Sequence, residues 1–159
     1  MGMLRDFVAA FKEGYNGDAG SAPKPSTVIR PWGGKPAMKV YRLPADHEAK
    51  VYTYDGAPLR GLSLNERFVI TAIPGDVTMT SVYTGATAST TNYNDIAYAY
   101  NGEVFGFASS HAEAVKKLIM GGYRVEVEAY IRGYDGERGF PYVVGLFGFV
   151  DDDLYYSLK

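Results

Sequence analysis

A chain of 159 residues, 47% apolar and 21% charged, has room for one ordinary domain, and its composition excludes global disorder. The absence of cysteine excludes a disulfide framework, a thiolate zinc site and a cysteine nucleophile together. The net charge of −2 conceals an asymmetry: residues 1–50 carry eight Lys/Arg against five Asp/Glu, and residues 51–159 carry eight against thirteen. So acidic a second part does not suit a general duplex binder, because basic groups on phosphates supply most non-specific affinity; a nucleic-acid site here has to be small and local. No run approaches the roughly 20 apolar residues of a spanning helix, and the residues from Met1 to Asp6 lack the basic and apolar regions of a signal peptide, so a cytoplasmic protein is expected.

Leu4, Phe7, Val8, Phe11 and Tyr15 recur at three- and four-residue intervals and predict a short amphipathic helix, ended by Gly14 and Gly17. Such a helix packs on its own domain or docks to a partner. Residues 17–26 have linker composition, which closes an N-terminal segment of residues 1–26. Residues 27–61 read as an irregular or short-strand extension: Val28-Ile29 and Met38–Tyr41 are interrupted by Pro31, Gly33-Gly34, Pro36 and Pro44, and Val51–Tyr54 suits one strand of a hairpin.

The compact domain is expected over residues 62–159. Arg67–Ile73 reads as a strand stopped by Pro74-Gly75, and Val77–Tyr83 as the next; residues 84–92, nearly all small, read as a loop. Asn101-Gly102 tolerates the positive φ angles of a tight turn and joins Ile96–Tyr100 to Glu103–Phe107 as a hairpin. Ser110-His111-Ala112-Glu113 has the form of a capping box, opening a helix that buries Ala114, Val115, Leu118 and Ile119 and ends at Gly121-Gly122. Tyr123–Ile131 alternates apolar and polar residues, as a half-buried strand does, and Phe140–Val150 reads as a strand in which Gly145 and Gly148 mark bulges or bends. Asp151-Asp152-Asp153 reads as a solvated terminal run. Together these predict an α+β fold built on a small five- or six-stranded antiparallel β-barrel with one principal helix.

Catalytic chemistry finds little support. His47 and His111 stand apart from other metal-ligating groups, with His111 read as an ordinary surface group, and Gly33-Gly34-Lys35 lacks phosphate-loop spacing. No motif joins nucleophile, base and oxyanion donors, so neither an enzyme nor a cofactor or metal site is expected. Aromatic and amide residues do gather around one loop: Tyr83, Asn92, Tyr93, Asn94, Asp95, Tyr98 and Tyr100. Aromatic faces stack on unpaired bases and Asn or Asp bonds their edges; alternatively, tyrosines fill a barrel wall and Asn and Asp shape a turn. The wall suits Tyr98 and Tyr100, while for Tyr93 both readings stand.

The order of strand, the loop Asn92-Tyr93-Asn94-Asp95-Ile96, a hairpin ending Gly102-Glu103-Val104-Phe105-Gly106-Phe107, a helix and an alternating strand resembles a HIRAN domain over roughly residues 66–150. This family includes stand-alone bacterial and phage proteins. Its motif Asn-Pro-Tyr-Asp-x-Asn-Ala-Ile places Asn92 at the Asp, Asn94 at the Asn, Asp95 at the Ala and Ile96 at the Ile. The resemblance implies a barrel of OB- or SH3-like type and binding of single-stranded DNA ends, with Phe140 where the family carries an aromatic beside the base. Lys116 and Lys117 add a local positive patch on the helix. Ala72-Ile73-Pro74 stands where DNA-binding members are basic and aromatic, which removes phosphate contacts. The expected activity is single-stranded nucleic-acid binding through Asn92, Tyr93, Asn94, Asp95, Phe140, Lys116 and Lys117; the alternative is a protein-interaction module, with the amphipathic N-terminal helix as a possible docking element.

Overall fold

In a computed structural model the described residues are 26–80, 85–134 and 140–158, the side chains of Asn92 and Tyr93 excepted. The expected N-terminal helix and nearly all of the linker lie outside them, as does the loop at residues 135–139. Strict alternation produces the longest strand, β9 (Tyr123–Tyr134), in which Val125, Val127, Ala129 and Ile131 are fully buried. It pairs antiparallel with β4 (Arg67–Ala72), which turns Phe68, Ile70 and Ala72 to the same interior. Asn101 and Gly102, with φ of 50° and 83°, make the turn between β7 (Ile96–Tyr100) and β8 (Glu103–Ala108), as their residue types require.

Closure comes from two further strands, β3 (Glu48–Thr53) and β10 (Pro141–Leu146). The order β10-β3-β8-β7-β4-β9 returns to β10, giving a six-stranded antiparallel barrel. β2 (Lys39–Arg42) lies outside it, parallel to β9. Residues 27–61 are therefore no mere extension to a barrel that begins at residue 62: they supply the stave β3. The linker assignment also shifts, since Ser26 already opens β1 (Ser26–Pro31). β1, β5 (Gly75–Thr80) and β6 (Thr87–Ser89) form a second, three-stranded sheet.

That second sheet explains why β7 is buried along both faces. Ile96 and Tyr98 point into the barrel with Phe105, whereas Ala97, Ala99, Val104 and Phe107 form a second core with Ile73, Val77 and Met79. The wall reading thus holds for Tyr98, which has no exposed surface, and for Tyr100, whose ring meets Phe68 edge-on. Burial pushes the Tyr98 phenol well above its ordinary range.

Local chemistry modifies three expectations. Residues 84–92 are not simply a loop, because Thr87–Ser89 pairs with β5 and Ser89 caps a short helix, α1 (Thr90–Tyr93), by accepting a bond from the Thr91 amide. No capping box forms at α2 (Ala112–Met120): His111 takes a left-handed conformation, and the Ser110 hydroxyl bonds its Nδ1 at 2.9 Å. The acidic run does not end the fold either. The Asp151 carboxylate accepts from the Leu154 amide and opens α3 (Asp152–Ser157), whose Leu154 and Tyr155, with the following Leu158, pack on the core. Among the described residues no helix is long and apolar enough to cross a membrane.

Two glycines set the closure. Gly145 leaves room in β10 for the ring of Phe147, and Gly106 lets β8 come directly against the Tyr52 carbonyl of β3. Phe147 is fully buried, between the ring of Tyr98 and a stacked His111; Phe149, largely exposed, sits edge-on to both His111 and His47. His111 is accordingly not an ordinary surface group. Its Nε2 is buried, and burial first, then the neighbouring His47, holds the imidazole below its ordinary pKa.

Gly106→Ala should cost about 3 kcal/mol in denaturant unfolding, because a β-carbon there has to move the β3 backbone, while Gly133→Ala, with open space at that position, should stay within about 0.5 kcal/mol of the parent. For His111 the neutral form stabilises the fold. That contribution is whole above about pH 6.5 and is lost as pH falls through the lowered native value. Thermal melts should therefore show a loss of stability on acidification across this window that is smaller in His111→Asn, a residue that also accepts the left-handed backbone.

Candidate nucleic-acid interface

Trp32, the only tryptophan in the chain, follows β1 and is fixed from two sides. Its backbone N–H donates to the Pro74 carbonyl at 3.2 Å and its indole N–H to the Asp76 carboxylate at 3.0 Å. The loop after it is stitched to the end of α2 by Lys35 N–H to Met120 O and Met38 N–H to Gly122 O, and Gly34 packs flat against Met120. The ring stands half-buried between two grooves.

One is a trough of about 450 Å³ with an apolar floor that includes Ala72, Ile119, Met120 and Tyr123; its charged lining residues are Lys35, Lys39 and Arg124, and no carboxylate lines it. The other, about 490 Å³, has Asn94, Asp95, Lys116, Lys117, Thr90 and Thr91 around it, with Asp76 and Glu113 as further acids. The two share Trp32. Lys116 holds its ammonium 4.9 Å from the Trp32 ring centroid, and Lys117 is 4.1 Å from that of Tyr155. Neither of these lysines, nor Lys35 or Lys39, forms an ion pair among the described residues. The trough is lined by cations alone, whereas the second groove holds two lysines beside three acids.

Asn94 and Asp95 reach this groove through tight local structure. Asn94 ends α1 in the left-handed conformation, with φ of 56°, which asparagine tolerates. The Asp95 N–H then donates to the Thr90 carbonyl at 2.9 Å, and the buried Thr90 hydroxyl accepts from the Val77 amide at 3.0 Å, so the turn is anchored to β5. Burial raises the Asp95 carboxyl above its ordinary pKa.

Of the seven residues singled out from sequence, Asn94, Asp95, Lys116 and Lys117 line one groove. The side chains of Asn92 and Tyr93 lie outside the described residues. Phe140 is not part of the groove: it sits by Gly56, just beyond β3 and next to Pro141, so the described residues do not bring it together with the others. Sequence reasoning missed Trp32, Lys35, Lys39 and Arg124. The available signal was a lone tryptophan beside Gly33-Gly34-Lys35 in the basic part of the chain.

Comparison with protein-family models, with curated proteins and with solved structures finds no match. Thr90→Val, which keeps the shape of the side chain and leaves the Val77 amide unpaired, should cost about 1–3 kcal/mol in chemical denaturation and speed hydrogen exchange at Val77.

Proposed function

We propose that this protein binds single-stranded nucleic acid, with an unpaired base stacked on Trp32 and the flanking phosphates on Lys35, Lys39, Lys116 and Lys117. The observation that carries the reading is a single tryptophan ring standing between two grooves whose lining includes four lysines without ion-pair partners among the described residues. Stacking on an aromatic ring is worth roughly 1–3 kcal/mol per base, whereas the exposed cation–π contact of Lys116 is worth only about 0.5–1 kcal/mol. A base can therefore take the place of the ammonium over the ring while the ammonium moves to a phosphate. The trough's cations suit a backbone, and the acids of the second groove suit base amines. Membership of the HIRAN family and a preference for strand ends are part of this proposal, in a version whose phosphate contacts come from the Trp32 loop and α2.

A second reading, a protein-interaction module, is favoured by the outer barrel face. There Tyr52 and Tyr134 are more than half exposed, and the Lys50 ammonium lies 4.5 Å and 5.0 Å from the ring centroids of Tyr52 and Tyr142. Tyrosines and cations of this kind anchor protein interfaces.

Titration with labelled single-stranded oligonucleotides of roughly ten nucleotides separates the two. Binding should quench the emission of Trp32 and weaken between about 50 and 200 mM salt, with a logarithmic slope of roughly −2 to −3 for up to four phosphates. Trp32→Ala and the double variant Lys116→Glu/Lys117→Glu should each weaken it about ten-fold by fluorescence anisotropy. A blocked 3′ end should weaken it too where ends are preferred. No binding at low salt removes the nucleic-acid reading and leaves the outer face as the surface to pursue.

A further inference from the structure

Resting on that single-strand reading, we propose that the Asp95 carboxylate makes the groove beside Trp32 select guanine over the other bases. The carboxylate lines the same groove as the indole, on a turn fixed at both sides: the Asp95 N–H is bonded to Thr90 O, and the next residue, Ile96, enters the barrel core. It has neither a hydrogen-bond donor nor an ion-pair partner among the described residues, although two lysines share its groove. Partial burial raises its pKa, so a ligand that brings donors meets a carboxylate already partly stripped of water.

Base chemistry decides which ligand does so. A carboxylate offers two parallel acceptors and no donor. The Watson–Crick edge of guanine presents two adjacent donors, N1–H and the N2 amine, which match them in a bidentate pair. Adenine and cytosine each present one amine beside a ring-nitrogen acceptor, and thymine one N–H between two carbonyls. Those three bases give a single bond at most and set a lone pair against the carboxylate. Unpaired bases expose this edge, which is why proteins read single strands there. Phosphate is disfavoured at the position, because the three carboxylates Asp95, Asp76 and Glu113 outnumber Lys116 and Lys117 in this groove, whereas Lys35 and Lys39 line a trough that no carboxylate lines.

The test uses the full chain and thymidine oligonucleotides of roughly ten nucleotides carrying one central guanine, inosine, adenine or cytosine, with affinities read by anisotropy. Guanine should bind about ten-fold tighter than thymidine alone, the usual discrimination of one bidentate pair. Inosine, which keeps N1–H and lacks the N2 amine, should fall between them. Asp95→Asn should reduce the roughly ten-fold guanine preference to about one. The inosine series needs no substitution and keeps the test decisive if the variant folds poorly. Equal affinity of the parent for all the oligonucleotides, or a guanine preference that persists in Asp95→Asn, overturns selection by Asp95 while leaving single-strand binding standing. Failure to bind any oligonucleotide at low salt overturns both.

Discussion

A sheet rolled into a barrel has to find its last partner, and here that partner is β10, lying between β3 and β9. The fit depends on the absence of a side chain at Gly145, into whose space the Phe147 ring folds back, and the buried Phe147 in turn holds Tyr98 on one side and His111 on the other. Because His111 is the residue from which α2 starts, the same ring ties barrel closure to the principal helix. Closure, core and helix are one packing problem, and a close-packed interior tolerates little change in any of them.

The interface inherits its precision from this arrangement. Trp32 is held by Pro74, just before β5, and by Asp76 within β5, and the loop behind it by the end of α2, so the ring is placed by distant parts of the finished fold. Asp95 is placed by α1 and β5. Trp32 and Asp95 are already fixed, which would lower the ordering cost of the proposed binding. On the proposed reading, the trough lined by cations alone takes the backbone and the groove that also holds acids takes base edges, with the indole between them.

Local signals made much of the barrel legible. β9 was readable because its alternation runs through Val125, Val127, Ala129 and Ile131, the β7–β8 hairpin because Asn101-Gly102 admits one kind of turn, and α2 because apolar spacing and Gly121-Gly122 agree. What escaped was non-local. β3 has Val51 as its one deeply buried residue, and its place follows from pairing with β8 and β10 far along the chain. The cap at α2 failed because the helix starts from His111 in a left-handed conformation and the Ser110 hydroxyl bonds the imidazole in place of a helix amide. In the site, Asn94 and Asp95 were marked by the aromatic and amide-rich loop and by the HIRAN resemblance, and Lys116 and Lys117 by their helix. Trp32 was missed because Asp76, its indole partner, stands 44 residues downstream.

The position of β3 has a consequence for synthesis. It leaves the ribosome early, yet both strands that flank it, β8 and β10, are made later, and β10 is the last of the barrel strands to emerge. A nascent chain interrupted before β10 has β3, and the part of β9 beyond its pairing with β2, as bare edges of an open sheet, with backbone donors and acceptors available to any other strand. Long-range pairing of this kind is slow, and exposed edges are where chains join one another in error. The interval between translation of β9 and capture of β10 is thus the most vulnerable moment in the life of this protein.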